Sequence, residues 1–587
     1  MRTKLQNVTI ALTALFTLLL PLKCGSLILP GVPQAWPDGV IDWLVTAPPA
    51  VFFVLTSAVL LMLALAAFGG PRFAPRSAPG ALAVLWSLLP PVGALGLVKA
   101  SSLEPGVIEL CYFAGLSAYA GLLAILFSHR GERCRELFLN AACAGVLITA
   151  AIGVHQYFRG FDDLRRFVLE EEARSGVEFP ADFKARIWDK RTYATFTFAS
   201  ALAGCLLLLG PVTVFRLREW GKRFEPQKLS QWLFAGGGGA MLLGVFLSTK
   251  GRGAFLAGLI ALGGWSFLQL RRRRWKLLAV GAVLLAAAAG GAYIHYAGRG
   301  FGSMTERVGY WITSASMTAE EPLTGSGWGD FTHHHARGKF MGNTELARDP
   351  HNMIASFAAA AGVPGLLYSL LLLGLPLVTA ARRFRATDLE GKLLAGGLFA
   401  FSLHTLMDLD MQVPGLMALM ILTQFLVVTG RTAAEAPAGR SARWAGAVSG
   451  VLIALLALTG GLRWNRAEMA LDALLNASGQ AVGNINTAPA APARVRQLVK
   501  EAAAAAPCSP GPYMAGGNYM LKIGDLRQAE RDFLEAQKRA PEYWLIFQRL
   551  SEVAARRGDA EQAEKLHREA VNRFPLYFKL KGEDKKP

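Results

Sequence analysis

Residues 299–352 bring Arg299, Arg307, Arg337, Lys339 and Arg348 together with His333, His334, His335 and the dipeptide His351-Asn352, more densely than any other stretch of the 587-residue chain. Guanidinium groups can hold a phosphate or pyrophosphate through paired hydrogen bonds, and imidazoles exchange a proton near neutral pH. The chemistry these types suit is therefore transfer at a phosphate-linked substrate. A second basic pair, Lys250 and Arg252, stands in Leu-Ser-Thr-Lys-Gly-Arg-Gly-Ala at 247–254. Two other features are read as non-functional. Three adjacent histidines cannot easily converge on one ion, so His333–His335 are expected to be a solvated loop run rather than a metal site. The Gly325-Ser326-Gly327 turn lacks the strand and helix that a nucleotide-binding fingerprint needs.

The elements that must position these residues are membrane spans. The chain is 53% hydrophobic and has a mean hydropathy of +0.33, too apolar for a soluble protein of this length. Apolar runs recur near 7–29, 49–68, 80–99, 106–127, 138–157, 194–215, 232–248, 254–270, 277–296, 364–381, 393–409, 414–430 and 444–462, which predicts about 12–13 transmembrane helices. The net charge of +19 is a topology signal and not a nucleic-acid signal. Arg72 and Arg76, Arg130 to Arg135, Arg216 to Lys228, Arg271 to Lys276, Arg382 to Arg385 and Arg431 to Arg443 all fall in alternate loops, which the positive-inside rule places in the cytoplasm. The 299–352 loop, a mixed-charge helical segment at 158–193 and the C-terminal region then share the outer face.

On that face Lys250 and Arg252 oppose the charge rule, which suggests an anion held beside them, with Gly251 and Gly253 supplying the freedom for a tight turn. Trp311 and Trp328 are suited to stacking on sugar rings or to anchoring at the membrane interface. Glu109, near the outer end of its span, is expected to be solvated or paired, and Pro21, Pro90 and Pro91 to mark kinks. The N-terminal apolar run lacks a small-residue cleavage site and is expected to remain as the first span. Six dispersed cysteines without a CxxC imply neither a disulfide framework nor a zinc site.

Beyond residue 462 the sequence becomes soluble and helical, with 463–492 expected as a linker. A thirty-four-residue period relates Pro507, Pro541 and Pro575, Gly524 and Gly558, Asp525 and Asp559, and Ala529 and Ala563. This is the pattern of tetratricopeptide-type helical hairpins over 493–587, suited to binding a protein partner and expected to be separate from the catalytic step.

Arg307, Trp311, Pro322, Gly325, Gly327, Phe331, His351, Asn352, Gly362 and Gly365 follow one another in an order that resembles the bacterial O-antigen ligase and polymerase superfamily. Ser-Thr-Lys-Gly-Arg-Gly-Ala at 248–254 and His-Thr-Leu-Met-Asp-Leu-Asp-Met-Gln-Val-Pro at 404–414 are similar to two further motifs of that family. The chain departs from it at Ala194-Thr195-Phe196, where the polar residues that often follow are replaced by Phe198, Ala199 and Ser200, and around Lys250 to Arg252, where the family's Ser-Arg pair is replaced. The resemblance implies an all-α fold: a polytopic transmembrane bundle of the C-type glycosyltransferase kind over 1–462, with its large periplasmic loop at 297–352. It also implies an inverting, metal-independent enzyme of the bacterial inner membrane, without a cofactor, that moves a glycan from undecaprenyl pyrophosphate to a lipid or protein acceptor.

In that setting Arg307, Arg252 and Lys250 are the candidates to neutralise the leaving group, with backbone N–H groups of the Gly325–Gly329 turn as helpers. His351 is the candidate base and Asn352 the group to orient it. Trp311, Gly325, Gly327 and Asn352 complete the expected substrate contacts. The leading expectation is ligation of a polysaccharide to lipid A core. A polymerase or a protein O-oligosaccharyltransferase would use the same site. A flippase would instead show ionisable groups at the bilayer midplane and an inverted repeat.

Overall fold

Inside a hydrocarbon layer an apolar segment satisfies its own backbone groups only as a helix or a closed barrel, and the described elements of the computed structural model of the chain are helices joined by loops. The structure describes residues 2–176, 178–179, 181–224, 228–270, 302–339, 346–430, 438–480 and 489–582, with 272, 274, 275, 277, 278, 281 and 285 between them. Among these, 8 helices are long and apolar enough to cross a membrane. Helices at Leu389–His404 and Pro414–Thr429 are shorter, at 16 residues each, and the 18-residue Arg252–Gln269 begins on a charge. The 53-residue helix Leu103–His155 is broken at Arg130 (φ −136°) and Gly131 (φ 9°). Unbroken it would run about 80 Å at 1.5 Å per residue, against about 30 Å of hydrocarbon, so it counts as two passes. The expected span at 277–296 lies mostly outside the described residues, as does Arg299; each of the other expected spans falls on a helix.

The helices are clamped at one end by a buried ion network. Glu390, 1% exposed, receives Arg135 at 3.1 Å and Arg216 at 2.5 Å, and Arg216 also reaches Glu136 at 2.6 Å. Arg135 donates a further bond to the carbonyl of Leu426 at 2.7 Å. Four helices are thereby tied together where the arginine-rich loops lie. Loss of the Glu390 charge would leave Arg135 buried without an acidic partner, a costly arrangement.

The opposite end carries the polar loops. Two helices, Phe161–Ser175 and Ala181–Trp188, fold on each other over Phe161, Val168 and Ile187. Gly302–Glu320 and Phe331–Gly338 form the body of the large loop. The helix Met353–Arg383 is interrupted at Ala361 (φ −129°) and Gly362 (φ 65°), so its first turns form a short separate segment at this end.

The last membrane helix, Arg440–Ala477, does not stop at the bilayer edge. It continues until Leu471 and Leu474 join Val495, Leu498, Val499, Ala502 and Phe533 in a second core. The expected linker at 463–492 is therefore corrected: it is helical through Ala477 because that apolar face has a partner. Helix pairs Gly511–Ile523 with Leu526–Arg539, and Trp544–Arg556 with Ala560–Arg573, follow. Gly524 and Gly558 make the turns in left-handed geometry (φ 87° and 84°). Asp525 and Asp559 then cap the second helix of each pair by accepting from the N–H of Gln528 at 3.1 Å and Gln562 at 3.0 Å.

Candidate active site

The site is built on a docked turn. Residues 322–329 lie against the interruption in Met353–Arg383, and the fit is backbone on backbone. A β-carbon on Gly325 (φ 69°) would stand 2.3 Å from the carbonyl carbon of Ala360, and one on Gly362 would stand 2.4 Å from the carbonyl oxygen of Pro322. The N–H groups of Gly325, Ser326 and Trp328 donate to the carbonyls of Glu321 (2.8 Å), Ala359 (2.9 Å) and Gly96 (3.2 Å). These three amides are thus committed within the fold, and the expectation that they would help a leaving group is corrected. Trp328 is neither a sugar platform nor an interface anchor. It is 4% exposed, packs edge-on to Phe113 and Phe357 and donates its indole N–H to Gly93 at 2.8 Å. Asp330 ties the same turn to the neighbouring span, accepting from the Ser101 N–H and hydroxyl, each at 2.7 Å.

Arg307 projects from Gly302–Glu320 toward Asp408, 3.8 Å away, and Asp408 also accepts from the Ser200 hydroxyl at 3.1 Å. Two residues beyond, Asp410 accepts from His404 Nδ1 at 2.5 Å, both side chains 1% exposed. Alternation along 404–412 thus gives one carboxylate to the open side and one to a buried partner. Gln412 donates to Glu109 at 3.0 Å, so Glu109 is paired and buried rather than solvated.

Arg191, which sequence reasoning passed over, stands beside this group. Burial pulls its guanidinium below the usual value, Asp189 and Asp408 oppose that, and Arg186 and Arg252 reinforce it. It is thus one of several guanidinium groups near Asp408. Its signal in the sequence was position: it closes the outer segment directly before the span that carries Ser200.

His351 takes a left-handed backbone (φ 56°), uncommon for a residue with a β-carbon. Asp349 imposes it. Its carboxylate accepts from the His351 N–H at 2.8 Å and from the Ser356 hydroxyl at 2.6 Å, and its carbonyl lies 2.9 Å from His351 Nδ1. A carbonyl can only accept, so Nδ1 carries the proton and Nε2 of the neutral ring is left as the basic atom. The imidazole also stacks on Tyr310, with centroids 5.3 Å apart. Burial pushes the Asp349 carboxyl above its usual range, while Ser356 and His351 oppose that shift. Asn352 does not orient His351 through its oxygen, as expected. That oxygen accepts from the N–H groups of Ile354 and Ala355 at 3.0 and 3.1 Å and starts the next helix.

Lys250 adopts the left-handed conformation of the 247–254 turn (φ 52°), a role expected of Gly251 or Gly253, and bonds Asp189 at 2.5 Å. The anion inferred from its misplaced charge is supplied by the chain itself. Arg252 begins the following helix and is exposed. The histidine run is helical, not a solvated loop, and points three ways. His335 is 4% exposed, with Thr313 at 3.2 Å from Nδ1. His334 lies 3.7 Å from Glu320, and His333 packs on Tyr543 at 6.1 Å.

These groups open into a cavity of about 1280 Å³, lined by Arg307, Arg191, Arg348, Asp349, His351, Asp408, Ser200 and Gly327. Lys250, Arg252, Trp311, Gly325 and Asn352 lie outside its described walls. Trp311 instead packs on the small core of Tyr310, Met317 and Phe331. The far wall comes from the C-terminal helix pairs, through Met514, Asn518, Tyr543, Trp544, Phe574 and Tyr577. The expected separation of those helices from the site is corrected by this shared wall. The joint is fixed by Ala336, Leu346, Trp544, Phe574, Leu576 and Tyr577 and by an ion pair between Arg337 and Glu542.

Residues 237–370 match the family model described as O-antigen ligase. The matched segment includes Lys250, Arg252, Arg307, the docked turn and His351, and it ends within the interrupted helix. Comparison with curated proteins finds no match.

Proposed function

We propose that the chain is a membrane glycosyltransferase that moves a glycan from an undecaprenyl pyrophosphate carrier to an outer-leaflet acceptor, with ligation of O-antigen to lipid A core as the reaction. The observation that carries this reading is Arg307, braced by Asp408, and His351, with its basic nitrogen set by Asp349, lining one cavity within the segment that matches the O-antigen ligase model. In this reading the cavity faces the periplasm, as the distribution of Lys and Arg among the loops supports. The helix pairs beyond Ala477 are tetratricopeptide-type repeats that also offer a surface to a protein partner.

The acceptor hydroxyl oxygen attacks the anomeric carbon as the bond from that carbon to the pyrophosphate oxygen breaks, and His351 Nε2 takes the hydroxyl proton. Attack opposite the leaving group inverts the configuration. The departing pyrophosphate gains negative charge, which Arg307 meets through paired hydrogen bonds, with Arg191 adding positive potential. The reading needs neither cofactor nor metal.

Transfer by the purified protein tests it. Arg307→Ala is expected to lower the rate about 10²- to 10³-fold, the usual cost of one charge-stabilising donor. Arg307→Lys should be nearly as damaging, since a point charge does not reproduce the forked geometry. Activity retained by both variants removes Arg307 from the mechanism. EDTA should leave the rate unchanged, and full inhibition reversed by magnesium or manganese would overturn the metal-independent reaction.

A further inference from the structure

The cavity divides sharply by chemistry. The charged residues and histidines of its described wall, Arg307, Arg191, Arg348, Asp408 and His351 among them, all precede residue 413. From Leu471 onward the described wall contains no Asp, Glu, Lys, Arg or His and presents Met514, Asn518, Tyr543, Trp544, Leu545 and Tyr577. This neutrality is local, because the same helix pairs are rich in charge elsewhere, much of it spent on internal pairs such as Arg539 with Glu535 and Arg556 with Glu552. The aromatic rings are also held in place. Trp544 packs on Tyr577 with centroids 4.6 Å apart and on the buried Phe574 at 5.7 Å, while Tyr543 rests on His333.

We propose that the C-terminal helix pairs form the glycan-holding wall of the cavity, where Tyr543, Trp544 and Tyr577 stack on uncharged sugar rings while the guanidinium side holds the pyrophosphate end of the same donor. This rests on the glycosyltransferase reading and names the part of the substrate that the far wall takes. Pyrophosphate would require cations, which this wall lacks. An extended peptide would require amide partners, yet Gln480 already donates to the Ala515 carbonyl at 2.7 Å and Asn518 to Gln480 at 3.4 Å. What remains is preorganised aromatic surface, which matches the apolar faces of sugar rings and costs little ordering entropy on binding. The volume of about 1280 Å³ exceeds the roughly 300–1,000 Å³ of an ordinary small-molecule site, as a lipid-linked chain of several sugars requires.

The test uses the full-length protein in detergent and neutral oligosaccharides released from the surface polysaccharide of the producing cell, free of pyrophosphate. Titration calorimetry should show binding that Trp544→Ala and Tyr577→Ala each weaken about three- to tenfold, and that Trp544→Phe largely restores. Tyr543→Ala, on the side of the wall that faces His333, gives an independent variant should Trp544→Ala lower thermal stability. With lipid-linked donors the same variants should raise KM for a multi-sugar glycan and leave a single-sugar donor unaffected. Absence of oligosaccharide binding by the unmodified protein, undiminished binding by folded variants, or binding of extended peptides in place of sugars each overturns the proposal. Transfer without oligosaccharide binding would remove this wall and leave the enzyme reading intact. Binding that the variants weaken, in a protein that transfers to no acceptor, would do the reverse.

Discussion

Arg307 and Asp408 are separated by 3.8 Å, and Asp408 takes a second bond from Ser200. At that distance the ion pair is loose, so it orients the guanidinium without occupying both of its forks, which leaves Arg307 able to turn to a pyrophosphate. Asp408→Asn should therefore lower kcat/KM about tenfold, the order expected from loss of one charge-assisted contact, and less than removal of Arg307 itself. Loss of Ser200, a neutral donor, should cost less again. Steady-state transfer rates of the three variants check the ranking, and an Asp408→Asn enzyme as impaired as Arg307→Ala would make Asp408 a direct participant. Arg307 and His351 were legible in the sequence because both stand in one polar interval between apolar runs, in an order that resembles a family motif. Asp349 and Arg191 were not. One acts through backbone hydrogen bonds two residues away, and the other enters the site only when the outer helices fold back over the span that carries Ser200.

At the scale of elements, the site depends on a turn pressed into a helix break, and the glycines are the means. Gly362 needs φ 65° and has Pro322 O 2.4 Å from where a β-carbon would stand. With ψ −156° beside that φ, Gly362 sits in a region that essentially only glycine adopts, so Gly362→Ala should cost about 1–3 kcal/mol for the backbone alone, and more for the clash. It should lower the thermal midpoint in detergent together with transfer, whereas alanine at Gly374, which has nothing within 4 Å, should not. The sequence showed the glycines but not their duty, since a Gly-rich turn reads equally as a ligand cradle until the atoms it meets are known. The histidine run was hidden for a similar reason: its helix is short and polar, and its burial comes from distant partners, Tyr310 and Thr313 against His335 and the C-terminal Tyr543 against His333. Burial first, and then the charges of Arg337, His334 and Arg573, together hold His333 down at about 4 from the ordinary 6.5. A base favoured in its neutral form stabilises the docked state fully above pH 6.5, and that contribution fades as pH falls toward 4. The thermal midpoint should therefore fall more steeply between those values in the parent protein than in His333→Phe. Parallel curves would show that His333 does not titrate at the joint.

Over the whole molecule, the large loop, the outer helices and the C-terminal helix pairs converge on one end of the bundle, and the ion network around Glu390 closes the other. The helix Arg440–Ala477 runs from the membrane part into the core of the C-terminal helix pairs without a break, so the two cannot reorient freely. One label can therefore report the sidedness of the entire site. Of the six cysteines, Cys24, Cys111, Cys134, Cys143 and Cys205 are buried, and Cys508, between two repeat helices, is partly exposed. A polar maleimide needs a thiolate it can reach, and a thiol packed among the membrane helices offers none. In intact spheroplasts a membrane-impermeant maleimide should label the protein, and Cys508→Ser should abolish the signal. The proposed topology predicts this outcome, because an odd number of spans would carry the C-terminal helix pairs to the side opposite the basic loops. Labelling only after permeabilisation would place the repeats and the cavity together in the cytoplasm. Transfer from an outward-facing undecaprenyl pyrophosphate donor could not then occur at this site, and the fold would have to serve a donor presented on the inner leaflet.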